Sequence, residues 1–143
     1  MEKKYYITVG IDSPQVIQFL EERIYEHNSN SIDKHDGHLF SRIVRDQGNK
    51  IIGGIAGWTW ARACEITQLW VDENMRQLGV GKMLLDAAEE EAISKACTTV
   101  LVKSYSFQAP QFYQKYGYKV EHILHGFPEG YKYYTLVKMI QAP

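Results

Sequence analysis

The sequence predicts a mixed α/β sheet with helices on both faces. Three observations carry this. The β-prone run Glu65–Val71 hands over through a polar turn to a long amphipathic helix, and then to a second β-prone run, Thr98–Lys103. Strand, helix and strand in that order make a right-handed parallel crossover. Further β-prone runs joined by turn residues stand on both sides of this unit, at Leu39–Trp60 and Gly117–Ile140, and a second amphipathic stretch precedes them. At 143 residues, 45% apolar and 23% charged, the chain reads as one domain spanning 1–143. A chain of that length buries roughly two thirds of its unfolded surface.

Taken in order, Tyr5–Val9 reads as a short strand. Ser13-Pro14 reads as a helix start, with Ser13 as N-cap and Pro14 at the first helical position. Val16, Ile17, Phe19, Leu20 and Ile24 then give an amphipathic helix to about His27. Asn28–Gly37 is polar and reads as a loop or a short broken helix. Leu39–Arg45 is a strand, Asp46–Asn49 a hairpin turn, and Lys50–Trp60 the next strand. Gly53, Gly54 and Gly57 within it imply bulges or a closely approaching neighbour.

Ile66, Thr67, Trp70 and Val71 make Glu65–Val71 a strand, uninterrupted by Gly or Pro. After the turn Asp72–Asn74 and the knot Arg76–Lys82, the apolar residues Leu84, Leu85, Ala88, Ala92, Ile93 and Ala96 fall at helical spacing. Asp86, Glu89, Glu90 and Glu91 are expected to face water. Thr98–Lys103 is a strand, and Ala109–Tyr116 a short helix entered through Pro110. Gly117–Leu124 and Tyr131–Ile140 are the last strands, joined through Gly126–Gly130. The chain has no repeat, linker or low-complexity segment.

The net charge of −1 gives no electrostatic reason to expect nucleic acid or an anionic membrane as partner. Cys64 and Cys97 are too few and too far apart for a disulfide framework or a zinc motif, which suits a reducing cytoplasm. MEKKYYITVG lacks a long apolar core, so no signal peptide is expected, and no stretch approaches the ~18 apolar residues of a spanning helix. Asp33, His35, Asp36 and His38 resemble a metal cluster in composition only, and no metal is expected. His122 and His125 read as surface or pocket residues. Trp58, Trp60 and Trp70 line an acceptor pocket or, more commonly for tryptophan, fill the sheet core. Tyr131, Tyr133 and Tyr134 are an interface or a pocket wall.

The junction between the central strand and its helix points to an anion. A helix N-terminus leaves about four backbone N–H groups without intrahelical partners and carries roughly half a positive charge. Glycine at 79 and 81 lets a phosphate approach those groups, and Arg76 and Lys82 add charge on either side. The alternative is a tight turn that needs glycine for backbone geometry alone. Two phosphate motifs fail here. A P-loop would need glycine at Arg76 and a hydroxyl at Met83, and a dinucleotide fingerprint would need glycine at Leu84.

What remains is R-x-x-G-x-G after a strand, which resembles the pyrophosphate signature [RQ]-x-x-G-x-[GA] of the GNAT superfamily of acetyl-coenzyme A-dependent N-acetyltransferases. A second stretch, Ser106–Tyr118, is similar to that family's N-x-x-A-x-x-[FL]-Y-x-K-x-G-[FY]. Ala109, Phe112, Tyr113, Lys115, Gly117 and Tyr118 match it, and Ser106 replaces the asparagine. The likeness is greatest to small bacterial members with F-Q-A-P-x-F-Y in this motif, and weakest before Leu39.

The resemblance implies a GNAT-like sheet, mostly antiparallel, with a central splayed parallel strand pair. It implies that Arg76, Gln77, Leu78, Gly79, Val80, Gly81 and Lys82 hold the pyrophosphate of acetyl-coenzyme A. Leu69, Trp70 and Val71 would pair with the pantetheine arm as an added strand does, and an N–H near Leu69 would stabilise an oxyanion. Ser106, Ala109 and Phe112 belong to the same cofactor site. Tyr113 matches the usual general acid for the departing thiolate; its alternative is ring packing on the cofactor. Glu65 has the offset from Gly79 of the catalytic base in histone-acetylating members. At ~3.3 Å per residue it stands about 13 Å along the strand from Leu69, and its alternative is a solvated strand-end carboxylate. Glu21, Glu22 and Glu26 are weaker candidates.

Two function classes follow. One is an N-acetyltransferase acting directly on a primary amine of a small molecule or protein. Neither cysteine falls in a signature, which disfavours an acetyl-cysteine route. The other is a coenzyme A-binding sensor or assembly module without turnover. A homodimer through the last strands and their tyrosines is a further expectation.

Overall fold

The computed structural model describes residues 4–140. It divides into two compact units, Met1–His35 and Asp36–Pro143.

The first unit is built on helix α1, Ser13–Ile32, with Pro14 in its opening turn. Asp12, not Ser13, is the flanking residue, and its carbonyl accepts from the Val16 N–H at 2.9 Å. The helix runs five residues beyond His27, so the expected loop begins only after Ile32. Polar residues such as Asn28 and Ser29 carry only a small helix penalty, and an existing helix extends until something stops it. Asp33 stops it, turning left-handed at φ 54°, and the Asp33 and Lys34 N–H groups both return to the Ser29 carbonyl. The apolar stripe stays partly exposed, as at Phe19 and Ile24. Tyr5–Val9 forms no strand, and Ile7 is 99% exposed. A β-prone run becomes a strand only when a neighbour takes its backbone groups, and local propensity cannot supply one.

The second unit is a six-stranded sheet: β1 His38–Arg45, β2 Ile51–Trp60, β3 Ala63–Val71, β4 Thr99–Tyr105, β5 Lys119–His125 and β6 Lys132–Met139. Their order is β1-β2-β3-β4-β6-β5. All neighbours are antiparallel except β3 and β4. This is the mixed, mostly antiparallel sheet with one central parallel pair that the resemblance implies. Helix α2, Val80–Ser94, packs on β1, β2 and β3, and the short helix α3, Pro110–Lys115, on β5 and β6. Leu84, Leu85, Ala88 and Ala92 are all but completely buried with Ile55, Ile66, Val100, Val102 and Leu136. Each such aliphatic side chain contributes about 1.5–3 kcal/mol relative to exposure.

Two irregularities in β3 position the site. The β2 register jumps between Ala56, opposite Gln68, and Gly57, opposite Ile66, leaving Thr67 as a bulge. Cys64 and Ile66 therefore face the helices, and so, past the bulge, do Leu69 and Val71, whereas Glu65, Gln68 and Trp70 share the other face. A neighbour also approaches as the glycines imply. A Cβ on Gly57 would lie 2.2 Å from the Glu65 carbonyl oxygen and 2.8 Å from the Phe40 ring. The second irregularity is the end of the parallel pairing, which runs only from Ala63↔Thr99 to Ile66↔Val102. Beyond it β3 and β4 splay.

Two surface expectations need correction. Trp58 and Trp60 are partly exposed and Trp70 is half-exposed, so none of the three fills the core. Glu89 and Glu91 face sheet cations rather than open water. Glu89 accepts from the Tyr118 hydroxyl at 3.0 Å and the Lys138 ammonium at 2.7 Å. Glu91 pairs with Arg42 at 3.0 Å and His38 at 3.5 Å. Helical periodicity shows which residues avoid the core, but not which partners the sheet brings to them.

Buried thiols and phenols make the fold sensitive to alkali. Burial first, then Cys97 and the carboxylates Glu91, Glu65 and Glu89, push the Cys64 thiol from 9.0 up to about 12. Burial pushes Tyr113 up to about 12 and also raises Tyr118. A raised folded-state value means the unfolded chain ionises first, so the contribution is complete below pH 9.0 and lost as pH rises towards 12. Urea midpoints are expected to be flat with respect to these groups up to about pH 9 and to fall as pH rises to about 11, with Cys64 alone removing about 2–3 kcal/mol of stability and the phenols adding to it. Cys64→Ala should remove the largest single share of the slope between pH 9 and 10, the remainder coming from Cys97 and the first ionisation of the unfolded chain's phenols. An unchanged slope would show that Cys64 is not the group responsible.

Candidate active site

The splay leaves residues 67–71 of β3 without a strand neighbour on the β4 side. The chain then turns sharply: the Asp72 carboxylate accepts from the Asn74 N–H at 2.9 Å and holds a 3₁₀ turn at Glu73–Met75. Gln77 and Gly79 are both left-handed, at φ 65° and 85°, and these two residues wind the backbone into α2. Only the second of them is glycine. A Cβ on Gly79 would meet nothing within 4 Å, so glycine there serves the left-handed turn, and the space in front of the helix is open.

Gly81 has a different role. Its Cβ would stand 3.2 Å from the Phe112 ring of α3, so its lone hydrogen allows the two helices to interlock. The N–H groups of Val80, Gly81 and Lys82 have no acceptor within the helix, and the first intrahelical bond runs from Met83 to the Gly79 carbonyl at 3.0 Å. Those donors and the helix dipole suit an anion. The two flanking cations are restrained. Arg76 donates from Nε to the Val71 carbonyl at 3.2 Å. Lys82 pairs with Asp86, which holds its ammonium above the ordinary value, and lies 5.1 Å from the Tyr116 ring.

On α3, Tyr113 is 7% exposed and wedged edge-on between Phe112 and Tyr118, at ring separations of 5.2 and 5.8 Å. Its burial keeps the phenol protonated at every ordinary pH. Ala109 flanks the helix and accepts from the Phe112 N–H at 3.1 Å. Ser106 is tied to the start of β6: its Oγ accepts from the Lys132 N–H at 3.0 Å and its own N–H donates to the Lys132 carbonyl at 2.8 Å. The serine proton remains available to a ligand.

The structure brings Gly81 against Phe112 and Val71, ties Arg76 to Val71, and packs Leu69, Val71, Phe112 and Tyr113 into one cluster, while Trp70 lies on the other face of β3. Glu65 lies on the sheet face opposite α2 and α3, beside Trp58 on β2 and Leu101 on β4. Glu21, Glu22 and Glu26 are exposed on α1, and His122 and His125 are exposed on β5. His35 bonds Asp33 at 3.1 Å, while Asp36 accepts from the Ala61 N–H at 3.0 Å. Among the described residues no group of three could hold a metal ion. One cluster escaped the sequence reading: Tyr105, Phe107, Phe127 and Tyr133 stack beside the end of β4. Crowded tyrosines are visible in the sequence, but the β4–β6 register that aligns them is not.

Comparison with known proteins fits this geometry. The model of the acetyltransferase (GNAT) family matches residues 7–118. The blasticidin-S acetyltransferase of Streptomyces morookaense is 34% identical over 104 residues, covering 70% of this chain and 74% of that protein. The crystal structure of an acetyltransferase from Bacillus cereus ATCC 14579 superposes with a TM-score of 0.78 at 29% identity, covering 95% of this chain and 98% of that one. A streptothricin acetyltransferase from Bacillus anthracis, solved in complex with acetyl coenzyme A, shares the fold with a TM-score of 0.64 at 23% identity, covering 72% of this chain and 63% of that one. With a family match over most of its length, and with its strand, glycine turn and helix disposed around a splayed parallel pair, the chain belongs to the acetyltransferase (GNAT) family.

Proposed function

We propose that the protein transfers an acetyl group from acetyl-coenzyme A directly to the primary amine of a small molecule. The observation that carries this reading is the open cradle of unpaired N–H groups where β3 passes through Gly79 into α2, set beside the splay. Acetyl-coenzyme A supplies the activated thioester. The residues fit it: N–H groups at 80–82 meet a pyrophosphate, Arg76 and Lys82 flank it, and residues 69–71 offer free backbone to the pantetheine arm. Ser106, Ala109 and Phe112 line the same site. Tyr113, held protonated, gives its hydroxyl proton to the leaving sulfur, and Glu65 draws the proton from the amine through water.

The relatives act, by their names, on blasticidin S and streptothricin, so amine-bearing antibiotics head the acceptor panel. The reading includes a cytoplasmic setting and a homodimer through β5 and β6. No helix among the described residues is long and apolar enough to cross a membrane.

The test is release of free thiol from acetyl-coenzyme A across that panel. Tyr113→Phe is expected to lower kcat about 10²-fold while coenzyme A affinity stays within about threefold, because the ring remains in place. A second reading, a coenzyme A-binding module without turnover, is favoured by the engagement of the Ser106 hydroxyl with Lys132. Tight coenzyme A binding with no thiol release on any amine, and no effect of Tyr113→Phe, would select the module.

A further inference from the structure

On the face of the sheet that carries Glu65, four aromatic rings lie nearly parallel. Tyr105 and Tyr133, paired across β4 and β6, stack at 4.3 Å and 16°. Phe107 stacks on Tyr105 at 5.2 Å and 5°, while Phe127 lies beside both tyrosines, 5.4 Å and 21° from Tyr133 and 6.4 Å and 18° from Tyr105. Phe107, at one end of the stack, and Phe127, at its flank, are about half open to solvent, at 58% and 48% exposure. Tyr131 meets Phe107 edge-on at 5.2 Å.

We infer that this stack is a docking surface for a planar aromatic ring carried by the acceptor amine. The inference rests on the acetyl-transfer reading above and names the acceptor's chemistry. Three observations lead to it. A set of near-parallel rings of which two are half-exposed extends favourably by one more flat ring, since offset stacking adds to plain burial of area. Half-exposed Phe107, Phe127 and Tyr131 offer about 300 Å² at ~200 Å² per ring, far short of the roughly 800 Å² per partner that a stable protein interface buries, so the occupant is a small molecule. The stack is also continuous with the candidate active site: Tyr105 ends the splayed strand β4, and the next residue, Ser106, is bonded to Lys132 at the foot of β6.

The charges on this face define the acceptor further. Alternation along β3 and β4 puts Glu65, Lys103 and Tyr105 on one side of the sheet. The Tyr133 hydroxyl is held above its ordinary value first by burial, then by Tyr105 and by the charge of Glu65, so this carboxylate acts on the stack electrostatically. Glu65 suits one ammonium, while exposed Lys103 opposes a second. The acceptor inferred is therefore an amine that carries a neutral flat ring.

Phenethylamine and 2-cyclohexylethylamine isolate the ring, because they share a carbon skeleton and the saturated amine is the more hydrophobic. Calorimetric titration of the coenzyme A-saturated protein is expected to show phenethylamine binding at least about fivefold tighter. Phe107→Leu and Phe127→Leu should each narrow that preference, and the double substitution should erase it. Both positions are half-exposed, so the fold survives, and thermal melting verifies this. Equal binding of the two amines by the unaltered protein overturns the inference, as does a preference that persists in the double variant. Thiol release in the same samples separates the two claims. Its absence with every amine sinks the acetyl-transfer reading but leaves the ring preference measurable. Transfer to both amines with no preference sinks the stacking alone.

Discussion

Gly57→Ala is expected to lower the melting temperature by more than about 10 °C, the largest loss from any single methyl group in the sheet. The added Cβ would lie 2.2 Å from the Glu65 carbonyl oxygen and 2.8 and 3.0 Å from two atoms of the Phe40 ring. A flexible side chain could swing aside, but the nearest atom here is the backbone of the neighbouring strand. Strands β2 and β3 would have to part beside the Thr67 bulge, at a cost of about 3 kcal/mol or more. The clashing carbonyl belongs to Glu65, so the displacement also reaches the proposed base. Gly54→Ala is the control. Its Cβ would sit 3.4 Å from the Arg42 carbonyl oxygen, an ordinary contact, and the melting temperature should move by only a few degrees. Similar melting of the two variants would show that β2 yields at position 57 more easily than this packing allows.

Gly79→Glu is expected to weaken coenzyme A binding about 10²-fold or more while lowering the melting temperature by only a few degrees. No atom lies within 4 Å of the added Cβ, so the fold has room for the side chain. The left-handed φ of 85° costs a non-glycine residue about 1–2 kcal/mol. The decisive effect is electrostatic. A carboxylate would occupy the helix N-terminus, satisfy the N–H groups offered to the pyrophosphate and repel its charge. Gly79→Asn separates strain from charge, because asparagine tolerates the left-handed region and is neutral. Its affinity should stay within about fivefold of the parent. If Gly79→Glu binds coenzyme A unchanged in a calorimetric titration, the phosphates lie elsewhere and the proposed function loses its main support.

Much of this was legible in the sequence for a definite reason. Strand β3, the glycine turn and α2 are specified by local chemistry: β-branched residues, then left-handed positions, then apolar residues at helical spacing. The parallel crossover follows from their order alone. Other features depend on partners distant in the chain. The end of α1 was missed because Asn28–Ile32 has no apolar periodicity, and Tyr5–Val9 was overvalued because propensity says nothing about a pairing neighbour. Glu89 looked solvated because Tyr118 and Lys138 reach it only through the fold. Gly81 looked like a phosphate glycine because its motif position is one, yet its Cβ site is closed by Phe112. The aromatic stack needed the β4–β6 register before its rings could be seen to align.

The interlock at Gly81 has a mechanical consequence. Phe112 is meshed with the first turn of α2, Tyr116 touches Phe112 and lies against Lys82, and Tyr113 is the residue next to Phe112. A rotation of that turn is passed along α3 to the phenol like motion between two cogs. The proposed anion cradle and the proposed proton donor, which read as separate signatures along the chain, thus rest on one shared contact, so a ligand seated on the one would bear on the aim of the other.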